Sequence, residues 1–155
     1  KLTKPIAFID LETTGVSIST DRIVEIAIIK ILPDESRVVK RKIINPQMPI
    51  PQSSTDIHGI TNEMVKDAPT FKEVANEVKV FIDGCDLGGY NSNRFDIPVL
   101  MEEFLRAGLT IDLSTRKMVD VQHIFYNMEP RTLTAAYKFY CQKDMFLKKQ
   151  KLATS

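Results

Sequence analysis

Asp10 and Glu12 end the apolar run in "AFIDLETTG", and no cation lies within that stretch to neutralise them. In an extended strand alternate side chains share a face, so Ile6, Phe8, Asp10 and Glu12 point one way while Ala7, Ile9 and Leu11 point the other. Two carboxylates about 7 Å apart at a strand end repel each other and lose hydration. A divalent cation would remove that cost, and hard oxygen donors suit magnesium or manganese. The same two acids could instead cap the Thr13-Thr14-Gly15 turn in water, and this stretch alone does not choose between the two uses.

A third acid changes the weighing. Asp96, in "NSNRFDIPVL", falls in the first turn of a helix expected from about Phe95 to Ala107, where a carboxylate can also simply complement the helix dipole. Convergence separates the readings. If "DLGGY" is a strand running beside the first and in the same direction, the loop leaving it brings Asp96 to the strand end that carries Asp10 and Glu12.

The elements that must position these acids are readable in outline. Residues 5–12, 22–32 and 37–44 read as strands, rich in Ile and Val and bounded by Pro, Asp, Ser or Thr. "RIVEIAIIKIL" is nearly continuous in apolar content and predicts burial on both faces, whereas the cations of "RVVKRKII" predict an exposed edge. Prolines 46, 49 and 51 argue against regular structure from Asn45 to Ser54, with short helical turns flanking "IHGIT". Thr70 and Glu73 match a capping box for a helix that Gly84 stops. A turn at Asn91–Asn93, Pro98 in the first turn of the next helix, a fifth strand at 118–121 and a helix from Leu133 to Cys141 capped by Thr132 complete the order. Three strands, helix, strand, helix, strand, helix predicts an α/β fold, one mixed sheet of about five strands flanked by helices.

The 155 residues fit one domain with one core, and 43% hydrophobic against 26% charged residues favours neither a disordered nor a fibrous class. With 21 Lys and Arg against 20 Asp and Glu, the +1 balance attracts no polyanion globally, so any nucleic-acid affinity must be local. Cys85 and Cys141 lie far apart without partners at ligand spacing and read as buried thiols of a reducing cytoplasm. No apolar run approaches a membrane span, and Lys1 opens no signal peptide, so no membrane partner is expected.

Taken together, "FIDLETTG", "IHGIT" and "NSNRFDIPVL" resemble, in order and spacing from about Pro5 to Cys141, the motifs of the DEDD exonuclease superfamily. The similarity is strongest to the branch containing the proofreading epsilon subunit of bacterial DNA polymerase III. This resemblance implies a ribonuclease H-like fold and a 3′ to 5′ exonuclease that releases nucleoside monophosphates from single-stranded or frayed ends, DNA favoured, with a DNA polymerase as a partner. It also implies two Mg2+ or Mn2+ ions held by Asp10, Glu12 and Asp96, Asp10 bridging them and Glu12 on the ion that carries the attacking water. Thr13 and Thr14 would cradle the terminal nucleotide through backbone groups, Gly15 would allow a tight turn, His58 would lie beside the terminal sugar or base, and Asn91 would brace the loop presenting Asp96. For His58 the alternative of a half-buried residue capping its own short helix stands equally. Glu25 reads as a hydrogen-bonded buried acid, His123 as a packing residue, Asp120 as a strand-end acid fixing a turn, and Lys148, Lys149 and Lys151 as a solvated face.

The resemblance breaks in one place. The family's fourth motif supplies a His general base and an Asp ligand five residues later, whereas "QKDMFLKKQKLATS" after Cys141 contains no His and only Asp144. Residues 1–155 thus read as a single exonuclease-like domain whose fourth motif and final helix are incomplete. Two explanations stand: residues missing between "CQKDM" and "FLKKQKLATS", which is preferred, or genuine loss, leaving a fold that binds nucleic acid or a polymerase without cutting.

Overall fold

A computed structural model describes residues 3–89 and 95–120. Asn91, His123, the Leu133–Cys141 helix, Asp144 and the lysines of the tail lie outside the described residues. The elements run β1 (Ile6–Thr13), β2 (Ile23–Ile31), β3 (Arg37–Ile43), α1 (Gln52–His58), α2 (Asn62–Val65), α3 (Phe71–Phe81), β4 (Asp86–Gly89), α4 (Ile97–Arg106) and β5 (Met118–Asp120).

The strands form one sheet in the order β3-β2-β1-β4-β5. β1 pairs antiparallel with β2 and β2 with β3, while β4 runs parallel to both β1 and β5. The Asp86–Gly89 part of "DLGGY" thus lies beside the first strand and in the same direction, the arrangement on which delivery of Asp96 depended. The pairing runs Ile6↔Asp86, Ala7↔Leu87, Phe8↔Gly88 and, among the described residues, goes no further along β1. β2 is buried along nearly its whole length and β3 is the exposed edge, as their compositions predicted.

Alternation along β1 decides which face meets the helices. Ala7, Ile9 and Leu11 join Ile26 and Ile28 of β2 in a core closed by Phe71, Val74, Ala75 and Val78 of α3 and by Ile97, Leu100 and Phe104 of α4. The rings of Phe71 and Phe104 meet edge to face with centroids 5.3 Å apart, locking the two helices together. The capping box of α3 is present: Glu73 Oε1 accepts the Thr70 N–H at 2.9 Å and Thr70 Oγ1 accepts the Glu73 N–H at 3.4 Å. Edge strand β3 is tied to α3 through Lys40 and Lys42, whose ammonium groups both reach Glu77.

One expectation needs correction. The proline-rich stretch becomes helical at Gln52, earlier than its composition implied, because Pro51 stands at the N-cap of α1. A first-turn position needs no N–H bond, and the proline φ of −58° already suits helix entry. Gly59 closes that helix in the left-handed conformation at φ 77°, its N–H bonding to the Thr55 carbonyl.

Candidate active site

The site lies where β4 releases β1. There the N–H of Leu11 donates to Asp96 Oδ2 at 3.4 Å, across 85 residues of sequence. Leu11 stands between Asp10 and Glu12, so the third carboxylate reaches the strand between the other two. Asp96 occupies the N-cap position of α4, yet its side chain makes no capping hydrogen bond, and its φ and ψ of −60° and −49° are helical. Asp96 is 9% exposed, and its carboxylate is turned to β1.

Asp10 and Glu12 are held above the ordinary carboxylate range. Burial is the main cause for Asp10, reinforced by the charge of Glu25 and opposed by Arg41. Glu12 is pushed up to about 7 by burial, then by Asp10 and Glu25, again with Arg41 opposing. Glu25 stands directly across from Glu12 in the β1–β2 register and so shares its face. Glu25 is not the buried, hydrogen-bonded acid its apolar strand implied: its side chain is 20% exposed and pairs with Arg41 Nε at 3.7 Å. The strand end therefore concentrates negative charge that the protein's own cations leave under-compensated. Hard oxygen donors short of positive charge fit a hard divalent cation. Among the described residues no three His, Cys, Asp or Glu side chains stand close enough to hold an ion together.

The turn after β1 is built from the inside. Thr13 Oγ1 donates to the Gly15 carbonyl at 2.6 Å. Thr14 is 1% exposed and fully engaged: its hydroxyl donates to Asp21 Oδ1 and accepts the Arg22 N–H, its own N–H bonds the Arg22 carbonyl, and its carbonyl accepts the Ser54 hydroxyl. Asp21 folds back across the loop, its other oxygen accepting the Ser17 N–H at 2.8 Å. A Cβ on Gly15 would stand 2.5 Å from that Asp21 oxygen, so glycine is needed for close approach and not for a left-handed turn. Beyond it Val16 is 91% exposed.

His58 fastens the "IHGIT" segment to the end of β1. Its Nδ1 accepts the Ile60 N–H at 3.1 Å, which leaves Nε2 to carry the proton and donate to the Thr13 carbonyl at 3.0 Å. Both ring nitrogens are thus used within the protein.

Glu103 of α4 was not singled out by its sequence context. It is 1% exposed; Arg22 Nε donates to Oε1 at 2.8 Å, the Ile23 N–H donates to Oε2 at 3.0 Å, and Arg106 lies 3.4 Å away. This knot ties α4, and through it Asp96, to the start of β2. No local pattern marks it, because an acid in "LMEEFLR" reads as helix surface until its partner 81 residues upstream is known.

The pattern that defines the exonuclease family RNase_T matches residues 7–145. The chain belongs to this exonuclease family. It is similar to a DNA polymerase III PolC-type of Caldanaerobacter subterraneus, 31% identical over 132 residues covering 84% of this chain and 9% of that protein. It is also similar to a DNA polymerase III subunit epsilon-like protein of Rhodobacter capsulatus, 38% identical over 107 residues covering 66% of this chain and 15% of that one. The epsilon subunit of Treponema pallidum is 35% identical over 104 residues, 66% of this chain and 45% of its own length. The exonuclease chain therefore spans less than half of each of these relatives. Among solved structures, E. coli Exonuclease I in complex with a dT13 oligonucleotide superposes with a TM-score of 0.69 at 19% identity, over 77% of this chain and 28% of that one. That likeness confirms the ribonuclease H-like fold, and the family supports a nuclease.

Proposed function

We propose that this chain is the catalytic part of a metal-dependent exonuclease that shortens single-stranded or frayed DNA from the 3′ end and releases nucleoside monophosphates. The observation that carries the reading is the delivery of Asp96, from the start of α4, to the β1 backbone between Asp10 and Glu12. Membership of the exonuclease family and the names of the polymerase III relatives support it.

In this reading Asp10, Glu12 and Asp96 are the residues that hold two Mg2+ or Mn2+ ions. Such ions, when bound, supply Lewis acidity for an attacking water and for the departing 3′ oxygen. The protein's part is to keep Asp10 and Glu12 on one short length of strand, short of compensating charge, and to bring Asp96 to it. The Leu11 N–H restrains Asp96, and burial together with Glu25 keeps Asp10 and Glu12 in need of a cation. The turn that follows binds the terminal nucleotide. Because Thr14 is spent internally, that contact falls to the Gly15 and Val16 amides, which have no acceptor among the described residues. His58 supports the turn from below through the Thr13 carbonyl. A DNA polymerase is the partner this reading implies, in the cytoplasm.

A second reading, binding without cutting, is the other outcome of the same experiment. Oligonucleotides labelled at either end, DNA and RNA, incubated with Mn2+ separate the two. A 3′ label released at once as mononucleotide, a 5′ label shortening stepwise, and loss of both with Asp10→Ala are expected. Retained activity in Asp10→Ala overturns the site, and strand binding indifferent to metal without shortening supports the second reading.

A further inference from the structure

The proposed site leaves one neighbouring cation without a part. Arg41 of β3 is paired with Ala27, and Ala27 with Asp10, so the three form one row across the sheet with side chains on the same face. Two strand spacings put Arg41 roughly 10 Å from Asp10 along that row. Its charge is felt at both Asp10 and Glu12. Its anchor is Glu25, reached through Nε at 3.7 Å, beyond hydrogen-bond length, and 63% of the side chain is exposed. Among the described residues no hydrogen bond engages its two terminal nitrogens. The neighbouring cations are disposed otherwise. Lys40 and Lys42 alternate to the opposite face and meet Glu77, and Lys30 donates to the Phe81 carbonyl and covers its ring.

We propose that Arg41 is a substrate-positioning residue, its guanidinium taking a backbone phosphate of the strand that enters the site over the β3 edge. This rests on the nuclease reading. A polyanion approaching three acids on one face, Asp10, Glu12 and Glu25, meets repulsion that a fixed cation beside them offsets. A guanidinium presents its paired N–H groups to phosphate in a fork that an ammonium cannot reproduce. Turning Nε toward Glu25 steers the side chain while leaving the terminal nitrogens to face the strand. The placement also gives the substrate a direction, with the incoming backbone on the β3 side of the acids.

The test is steady-state shortening of a single-stranded oligonucleotide in saturating Mn2+ across a salt series, for the wild-type chain, Arg41→Gln and Arg41→Lys. Arg41→Gln is expected to raise KM about tenfold with kcat within about twofold. The slope of log KM against log salt should fall by about 0.7, the share of one phosphate contact on a single strand, and Arg41→Lys should keep that slope. Oligonucleotides with one neutral methylphosphonate moved along the strand should reveal a position that penalises the wild type and not Arg41→Gln. An Arg41→Gln chain with the wild-type salt slope and methylphosphonate profile overturns the proposal, even if its KM has risen. A wild-type chain that leaves the strand intact overturns the nuclease reading, and this proposal with it.

Discussion

The carboxylate of Asp96 and the backbone N–H of Leu11 meet at 3.4 Å, although 85 residues separate them in the chain. Among the described residues the β1–β4 pairing ends at Phe8, and beyond it the Leu11 N–H is taken by this side chain. It places the third acid at the strand end where two others already repel each other.

Asp96→Asn keeps a hydrogen-bond acceptor for Leu11 but removes the charge. It should leave the melting temperature within a few degrees of wild type while lowering nuclease turnover on the order of 10³-fold, the effect of losing several kcal/mol of metal-borne stabilisation. Turnover near the wild-type rate would show that Asp96 serves the fold alone.

The raised proton affinity of Glu12 has a sign that can be worked out. Its folded value of about 7 lies above its ordinary 4.5, so between those limits the folded state binds more protons than the unfolded state. Its contribution to stability is then full below about 4.5 and is lost as pH rises through about 7, with Asp10 acting in the same direction. Because Glu12 is half-exposed, solvent screening reduces the effect to the order of 1 kcal/mol. In chelator, the urea midpoint of the wild type relative to Glu12→Gln should fall between pH 5 and 8, and Mn2+ should restore it at pH 8. A wild-type midpoint that gains on Glu12→Gln across that window contradicts the assignment.

Glu103→Ala should cost about 3 kcal/mol of folding stability, since it strands Arg22 and the Ile23 N–H beside a buried space. Denaturant unfolding measures it directly. A loss below about 0.5 kcal/mol, typical of a surface helix position, would mean that the knot does not hold α4 to β2.

The His58 ring should carry its proton on Nε2, because Nδ1 accepts the Ile60 N–H. Nitrogen chemical shifts of the ring report the tautomer. His58→Ala should destabilise the chain by about 1–2 kcal/mol through the Thr13 carbonyl and Ile60 N–H it leaves unpaired. An Nδ1-protonated ring would exclude this bracing role.

Much of the scaffold could be read from local chemistry. The alternation "IAFIDLET" put Asp10 and Glu12 on one face, the Thr70–Glu73 box announced α3, and the cations of "RVVKRK" marked an edge. Each rests on side-chain period or on hydrogen bonds between residues three apart, so a short window contains the whole cause. Where a window misled, a neighbour outside it was responsible: Glu25 pairs with a residue of the next strand.

Sequence alone determined the types and the spacing of the acids, the strand that carries two of them and the family they resemble. Only the tertiary structure decided that Asp96 turns to Leu11 instead of capping its helix, that Glu103 is buried on Arg22, and that Arg41 shares a row with Asp10. These are matters of strand register and of charge compensation between distant segments. A carboxylate leaves water only when a partner of matching geometry arrives, and no local signal names that partner before the sheet is assembled.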